Sequence, residues 1–305
     1  MTASPRAFMV PFVVCCLGVA LFSVMDGAVK GLSLAIGVYN ALFCRAVAGS
    51  ILGVSLMLAM RRPWPTRAVL RLHLVRGTVV AVMAMLFFWA LVRLPLAEAI
   101  ALSFIAPLIA LYLAALLLGE RIGRRAIGAS VLGLVGVGVI LSGRIRGAYD
   151  AEALLGAGAV LLSALLFGWN LILQRQQAQV AAPVEIACFQ HLVMLAVYSL
   201  AAPFYARVPP ASAVPLILAA AVLAFTSLAT LAWAYARAEA QRLIPVEYSA
   251  FLWAALVGAI AFGEPVTVTT LAGAALIITG CLAAARARPI PDRPPDPPHV
   301  EAGAA

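Results

Sequence analysis

The chain has 305 residues, of which 65% are hydrophobic and only 11% charged, whereas an ordinary soluble domain carries about 25% charged residues. A soluble fold is excluded on that ground. The net charge of +9 falls in short loops with no basic face interleaved by aromatics, which argues against nucleic acid as a partner and for topology information.

Long continuous apolar runs, rather than alternating segments of about ten residues, predict membrane helices and not a membrane barrel. Breaks at charge and proline clusters divide the chain into about ten spans of about 20 residues. They are 8–28, 35–60, 72–92, 96–118, 126–142, 152–173, 185–205, 212–236, 243–262 and 267–285. The first run, from Phe8 to Met25, lacks a small-x-small cleavage site followed by a soluble sequence, so it is expected to remain as the first helix. Cys15, Cys16, Cys44, Cys188 and Cys281 lie inside apolar runs without metal spacing and read as small hydrophobes. The tail 286–305, rich in proline, is expected to be disordered.

Arginine and lysine concentrate on one set of loops. Arg61, Arg62, Arg67 and Arg71, then Arg121, Arg124 and Arg125, then Arg286, Arg288 and Arg293 outweigh Lys30, Arg93, Arg144, Arg146 and Arg207 on the other set. The positive-inside bias then places both termini in the cytoplasm of a bacterial-type inner membrane. Arg45 and Arg76 fall within spans.

A weak internal repeat follows. The fourth span ends in Gly119-Glu120 and the ninth in Gly263-Glu264, each followed by a glycine-rich span. Because five spans separate them, equivalent helices run in opposite directions, as in alternating-access carriers built from inverted halves. The expected fold is an all-α membrane protein of ten transmembrane helices in two inverted five-helix repeats, 1–143 and 144–285.

At these residues the chain resembles the EamA-like branch of the drug/metabolite transporter superfamily. The resemblance rests on "FCRAVAGS" around Arg45, on "RLPLAEAIALSFIAPLIALYLAALLLGERIGRRAIGASVLGLVGVGVIL", and on "VEYSAFLWAALVGAIAFGEPVTVTTLAGAALIITG". It implies a central cavity lined by spans one to four and six to nine, with spans five and ten packed to the side. "MDGAVK" and "EYSAFLWAALVG" resemble a subgroup whose members are assigned to vitamin, adenosylmethionine or other metabolite transport. A secondary transporter of a small organic metabolite is the expected function.

Charged groups inside a bilayer cost several kcal/mol unless paired or wet. Arg45 needs an acidic partner or an anionic substrate, or else ties carbonyls of neighbouring helices. Asp26 and Lys30 are four apart and are expected to pair at the end of the first span. Glu98 and Glu247 sit towards opposite mouths of one cavity, where a carboxylate binds a proton or a cationic ligand group, or satisfies a helix dipole. Glu247 is the expected site of proton coupling. Trp169 with Asn170 offers a flat wall beside an amide, and His191 with Gln190 is polar enough to line the cavity or to bond another helix. Tyr248 and Trp253 flank the turn after Glu247. Gly133, Gly136, Gly138, Gly273 and Gly280 are expected to pack helices closely, and Glu120 and Glu264 to close helix ends.

An embedded enzyme would need a nucleophile and base, facing aspartates or a metal set, and none is visible. A channel would need a filter-like loop or a ring of like charge. No nucleotide-binding loop of the form GxxxxGK[ST] occurs, so ATP is not expected to drive the cycle directly, and with no metal spacing among the cysteines or histidines neither cofactor nor metal is expected. The implied partners are the substrate and the lipid bilayer, and the sequence leaves a homodimer open.

Overall fold

The computed structural model describes residues 5–106, 108–109, 112–113, 124–145, 151–235, 237, 246 and 248–285. Those residues form helices, turns and connecting segments, with no strand among them. In chain order the helices are α1 (Pro5–Ile36), α2 (Val38–Ala59), α3 (Arg67–Leu91), α4 (Leu96–Ser103), α5 (Arg124–Ile145), α6 (Ala151–Val180), α7 (Pro183–Ser199), α8 (Val214–Tyr235), α9 (Ala250–Phe262) and α10 (Val268–Ala285). A helical turn at Ala202–Tyr205 and a 3₁₀ turn at Ala211–Ala213 join α7 to α8. By length and composition, five of these stretches are apolar enough to cross a membrane, namely Met9–Ile36, Val38–Ala59, Arg67–Leu91, Ala151–Val180 and Ala211–Tyr235. Four shorter apolar helices accompany them, Val131–Ser142, Pro183–Ser199, Ala250–Phe262 and Val268–Gly280.

Local chemistry sets the boundaries. Gly37, with φ 83°, is the only residue between α1 and α2, and its left-handed backbone turns the chain without a Cβ clash. The Thr66 hydroxyl accepts the Val69 N–H at the start of α3, an N-cap that meets one orphan donor. Gly263 closes α9 at φ 63°, with its N–H bonded to the Ala259 carbonyl, in the αL manner of helix ends.

Several helices differ from the spans read in the sequence. α1 continues past residue 28 to Ile36 and contains both Asp26 and Lys30, and Lys30 is met by Glu264 and the Leu94 carbonyl in place of water. α6 continues past residue 173 to Val180 and carries Gln177 into the interior. α4 stops at Ser103, where tight turns bond Phe104 N–H to Ala101 and Ile105 N–H to Leu102. α9 starts only at Ala250, after a turn at Tyr248–Ser249. The two interruptions meet, since the Phe104 and Tyr248 rings pack edge to face at 5.1 Å.

The first and second halves interlock in antiparallel pairs. Along α3 and α6, Arg93 bonds Glu152, Ser163 bonds Met83 and Arg76 bonds Asn170, so one sequence rises as the other falls. In the same sense Gly49 and Gly53 of α2 face His191 and Cys188 of α7, and Gly18 and Gly31 of α1 face Leu231 and Leu216 of α8. The packing of α1 on α8 recurs as α6 on α3, that of α2 on α8 as α7 on α3, and that of α1 on α9 as α6 on α4. Exchanging the halves therefore maps each of these three pairings onto another observed one.

α5 and α10 pack mainly on each other. Gly136 faces Ile277 and Gly273 faces Ile140, and a Cβ on Gly136 would lie 2.7 Å from the Gly273 carbonyl oxygen. Backbone cannot yield as a side chain does. Gly136→Val should therefore lower stability by about 1–3 kcal/mol, read as a lower thermal midpoint in detergent. Gly138 was expected to pack as well, yet no atom of the described residues lies within 4 Å of its added Cβ. Gly138→Val should leave the midpoint unchanged, and equal losses at both sites would refute the close crossing.

Candidate functional site

Three helices bring buried charge together in the middle of the bundle. Asp26 on α1 is 2% exposed, Arg45 on α2 is 6% and His191 on α7 is 2%. Arg45 lies within electrostatic reach of Asp26, His191 and Tyr198. Its Nη1 is 3.6 Å from the Met25 sulfur, and its guanidinium lies 5.9 Å from the centre of the Phe88 ring. Arg45 forms no ion pair among the described residues. Asp26 Oδ2, Arg45 Nε and His191 Nε2 are buried without a hydrogen-bond partner among the described residues. The small size of Gly49 lets His191 in, because a Cβ there would lie 2.1 Å from the ring.

Towards the end of the bundle where α1 begins, a polar network joins α3 to α6 and α7. Arg76 Nε donates to Asn170 Oδ1 at 2.9 Å and Arg76 Nη1 to Gln177 Oε1 at 2.5 Å. Gln177 Nε2 and His73 Nδ1 are 2.5 Å apart, and His73 Nε2 lies 3.0 Å from Glu185 Oε1. Arginine only donates, so Gln177 Oε1 is the acceptor and its Nε2 the donor. His73 Nδ1 must then carry the lone pair and Nε2 the hydrogen, which goes to Glu185. Phe189 stacks on His73 at 4.7 Å.

At the opposite end, Lys30 on α1 forms an ion pair with Glu264, just beyond α9, and also donates to the Leu94 carbonyl at 2.7 Å. The other carboxylate oxygen accepts the Leu96 N–H at 2.8 Å, at the amino end of α4, where negative charge is favoured. The αL turn at Gly263 folds Glu264 back along α9, so that a Cβ on Gly258 would lie 2.9 Å from its carboxylate. Arg93 and Glu152 add a partly exposed pair at 2.7 Å.

The expected Asp26–Lys30 pair is thus not formed. Both residues are buried, and Lys30 takes its counter-charge from a helix far along the chain. Glu264 closes a helix end as expected, but it also ties three elements together. Asn170 belongs to the Arg76 network, while Trp169 beside it is 40% exposed and Trp253 is 37%. Tyr248 packs under Phe104, and Glu98 is buried in the first turn of α4. Glu247 and Glu120 lie outside the described residues. A groove of about 330 Å³ lined by Ser50, Ile51, Val54, Ser55 and Leu192 opens on the flank between α2 and α7 and is distinct from the charged centre.

His73, Gln177, Glu185 and Tyr198 escape the sequence reading. A signal was present for two of them. Asn170 and Gln177 share one face of α6, and His73 and Arg76 share one face of α3, which makes two complementary polar stripes.

The family model described as EamA-like transporter family matches residues 9–142 and again 154–286. The pseudopaline exporter CntI of Pseudomonas aeruginosa (strain UCBPP-PA14) is 26% identical over 269 residues, which cover 88% of this chain and 93% of that protein. The riboflavin transporter of Rhizobium johnstonii is 29% identical over 229 residues, covering 73% and 71% respectively. One solved crystal structure shares the fold at a TM-score of 0.61 and 20% identity, with 92% of this chain and 96% of that one covered. Two successive matches that together take in most of the sequence place the chain in the EamA-like transporter family.

Proposed function

We propose that this multi-pass membrane transporter, which is not an enzyme, is a secondary carrier that moves a small organic metabolite across the inner membrane by alternating access. The observation that carries the reading is a buried charged centre, Asp26, Arg45 and His191, set between two polar locks at opposite ends of the bundle. Each lock joins the proposed first half, 1–143, to the proposed second half, 144–285. Antiparallel pairing that survives exchange of the halves supports ten spans in two inverted repeats, and the arginine bias of the loops supports both termini being cytoplasmic. Breaks in the fourth and ninth helices suit a binding site near the midplane. Relatives named for pseudopaline and for riboflavin support an organic solute.

The test uses liposomes loaded with a ¹³C-labelled bacterial metabolite extract. A subset of labelled solutes should leave faster when unlabelled extract is outside, and the effect should saturate. Efflux that never saturates and ignores the outside solutes would mean a channel, and no efflux above protein-free liposomes would end the carrier reading.

A further inference from the structure

We infer that the loop between α2 and α3 and the flank groove beside it form one binding site for an acidic phospholipid, with the headgroup at the loop's arginines and an acyl chain in the groove. The inference needs only that the chain is a membrane protein and asks nothing of its cargo.

Charge comes first. Arg61, Arg62, Arg67 and Arg71 fall within eleven residues, and all four are exposed. The sequence holds no acidic residue between Asp26 and Glu98, and none of the four arginines belongs to an ion pair among the described residues. Arg67 opens α3, where the helix dipole favours a negative group, yet no acidic residue stands in that turn. A cluster of this size beside a membrane helix attracts acidic headgroups.

Backbone geometry singles out one of them. The Arg61 N–H bonds the Leu58 carbonyl and the Arg62 N–H bonds the Met57 carbonyl, the paired bonds of a Schellman helix end. Arg61 stands at its left-handed position, with φ 49°, where glycine is the usual residue because a Cβ is crowded there. Positive charge for topology would be served at any loop position without that cost. The strained one fixes where a guanidinium stands, just beyond the end of α2.

The groove supplies the place for the chain. Trp64 is 61% exposed and packs edge-on against Phe189 of α7 at 5.6 Å, an indole at the level where headgroups meet hydrocarbon. Phe189 shares an apolar cluster with Val54 and Leu192, and those two line the groove together with Ser50, Ile51 and Ser55. Along α2 the groove lies about 9–15 Å from Arg61 at 1.5 Å per residue. One leaflet of hydrocarbon is about 15 Å deep, so a chain hanging from a phosphate at the loop passes through it. An acidic protein arriving from water would reach the arginines but not a groove at hydrocarbon depth. Phe189 also stacks on His73, which belongs to the Arg76 network, so occupancy should be readable as stability of the bundle.

The experiment follows the thermal midpoint of the purified full chain in an uncharged detergent. Dioleoylphosphatidylglycerol should raise the midpoint in a saturable way. Dioleoylphosphatidylethanolamine, with the same chains and no net charge, should not match it, and neither should glycerol 3-phosphate, which has the phosphate and no chains. Arg61→Gly and Arg62→Gln should each raise the half-saturating lipid concentration by about fivefold. Ser55→Phe, which fills the groove from an exposed position, should raise it as well. Arg207→Gln removes the same charge from an exposed site at the opposite end and should leave it unchanged. Without lipid, Arg61→Gly should hold or raise the midpoint, because it relieves the crowded Cβ. Equal effects of the two lipids, stabilisation by glycerol 3-phosphate alone, equal losses in Arg207→Gln and Arg61→Gly, or an unaltered lipid response in Ser55→Phe would overturn the inference. A lower lipid-free midpoint in Arg61→Gly would do so too, by showing that the arginine serves the fold. Each comparison is made within one variant, so a partly unfolded sample does not imitate the expected result.

Discussion

Replacing Arg45 with alanine is expected to abolish transport, with a fall of about 100-fold or more in the initial rate of exchange. The guanidinium is buried between α1, α2 and α7, and no carboxylate of the described residues pairs with it. Removing it deletes the positive half of the centre and the charge that acts on Asp26. Charge-assisted hydrogen bonds contribute about 1.5–3 kcal/mol each, and a planar guanidinium makes two at once with a carboxylate. Arg45→Lys should recover little, because an ammonium is a point charge on a flexible stem and cannot hold the same fork. The measurement is counterflow of a substrate found in the extract screen, with the amount of folded protein checked by size exclusion. Full-rate transport in both variants would make Arg45 a bystander.

The second large effect is expected at the end of the bundle where Lys30 meets Glu264. Glu264→Gln leaves the Lys30 ammonium buried with only the Leu94 carbonyl and a neutral amide to face. Breaking a buried pair from one side costs about 3–5 kcal/mol, much of it the uncompensated charge. The thermal midpoint should fall by on the order of 10 °C. Adding Lys30→Met removes the stranded charge, so the double variant should be more stable than Glu264→Gln alone, a coupling that a double-mutant cycle reads directly. Asp26→Asn should not reproduce the fall, since Asp26 is not the partner of Lys30. If the double variant is no better than the single, the pair is not the source of the loss.

Much of the fold is legible in the apolar runs, and the places where the sequence misleads have a common physical cause. A charge in an apolar run normally wants water, so Asp26 and Lys30 mark a boundary on paper. In the bundle Glu264 and the Leu94 carbonyl supply what water would have supplied, and α1 runs on. The same assumption ends the sixth span before Gln177, which Arg76 and His73 satisfy inside. The break after Ser103 had a sequence signal in Pro107, since helices tend to stop short of proline. Asp26, Arg45 and His191 each stand out singly as polar residues in spans, but their convergence depends on how α1, α2 and α7 pack. Nothing local encodes that.

The crossing of α5 with α10 has an evolutionary consequence. Gly136 against Ile277 and Gly273 against Ile140 is a contact that a surface makes with a copy of itself turned over, the self-complementary geometry of a two-fold interface. A half-length ancestor with such a helix could assemble with an upside-down twin through this crossing alone. Twins encoded by one gene must mutate together, so a carboxylate gained on one side appears on the other as well. A single chain that carries both copies is free of that constraint, so the two sides of the crossing can diverge.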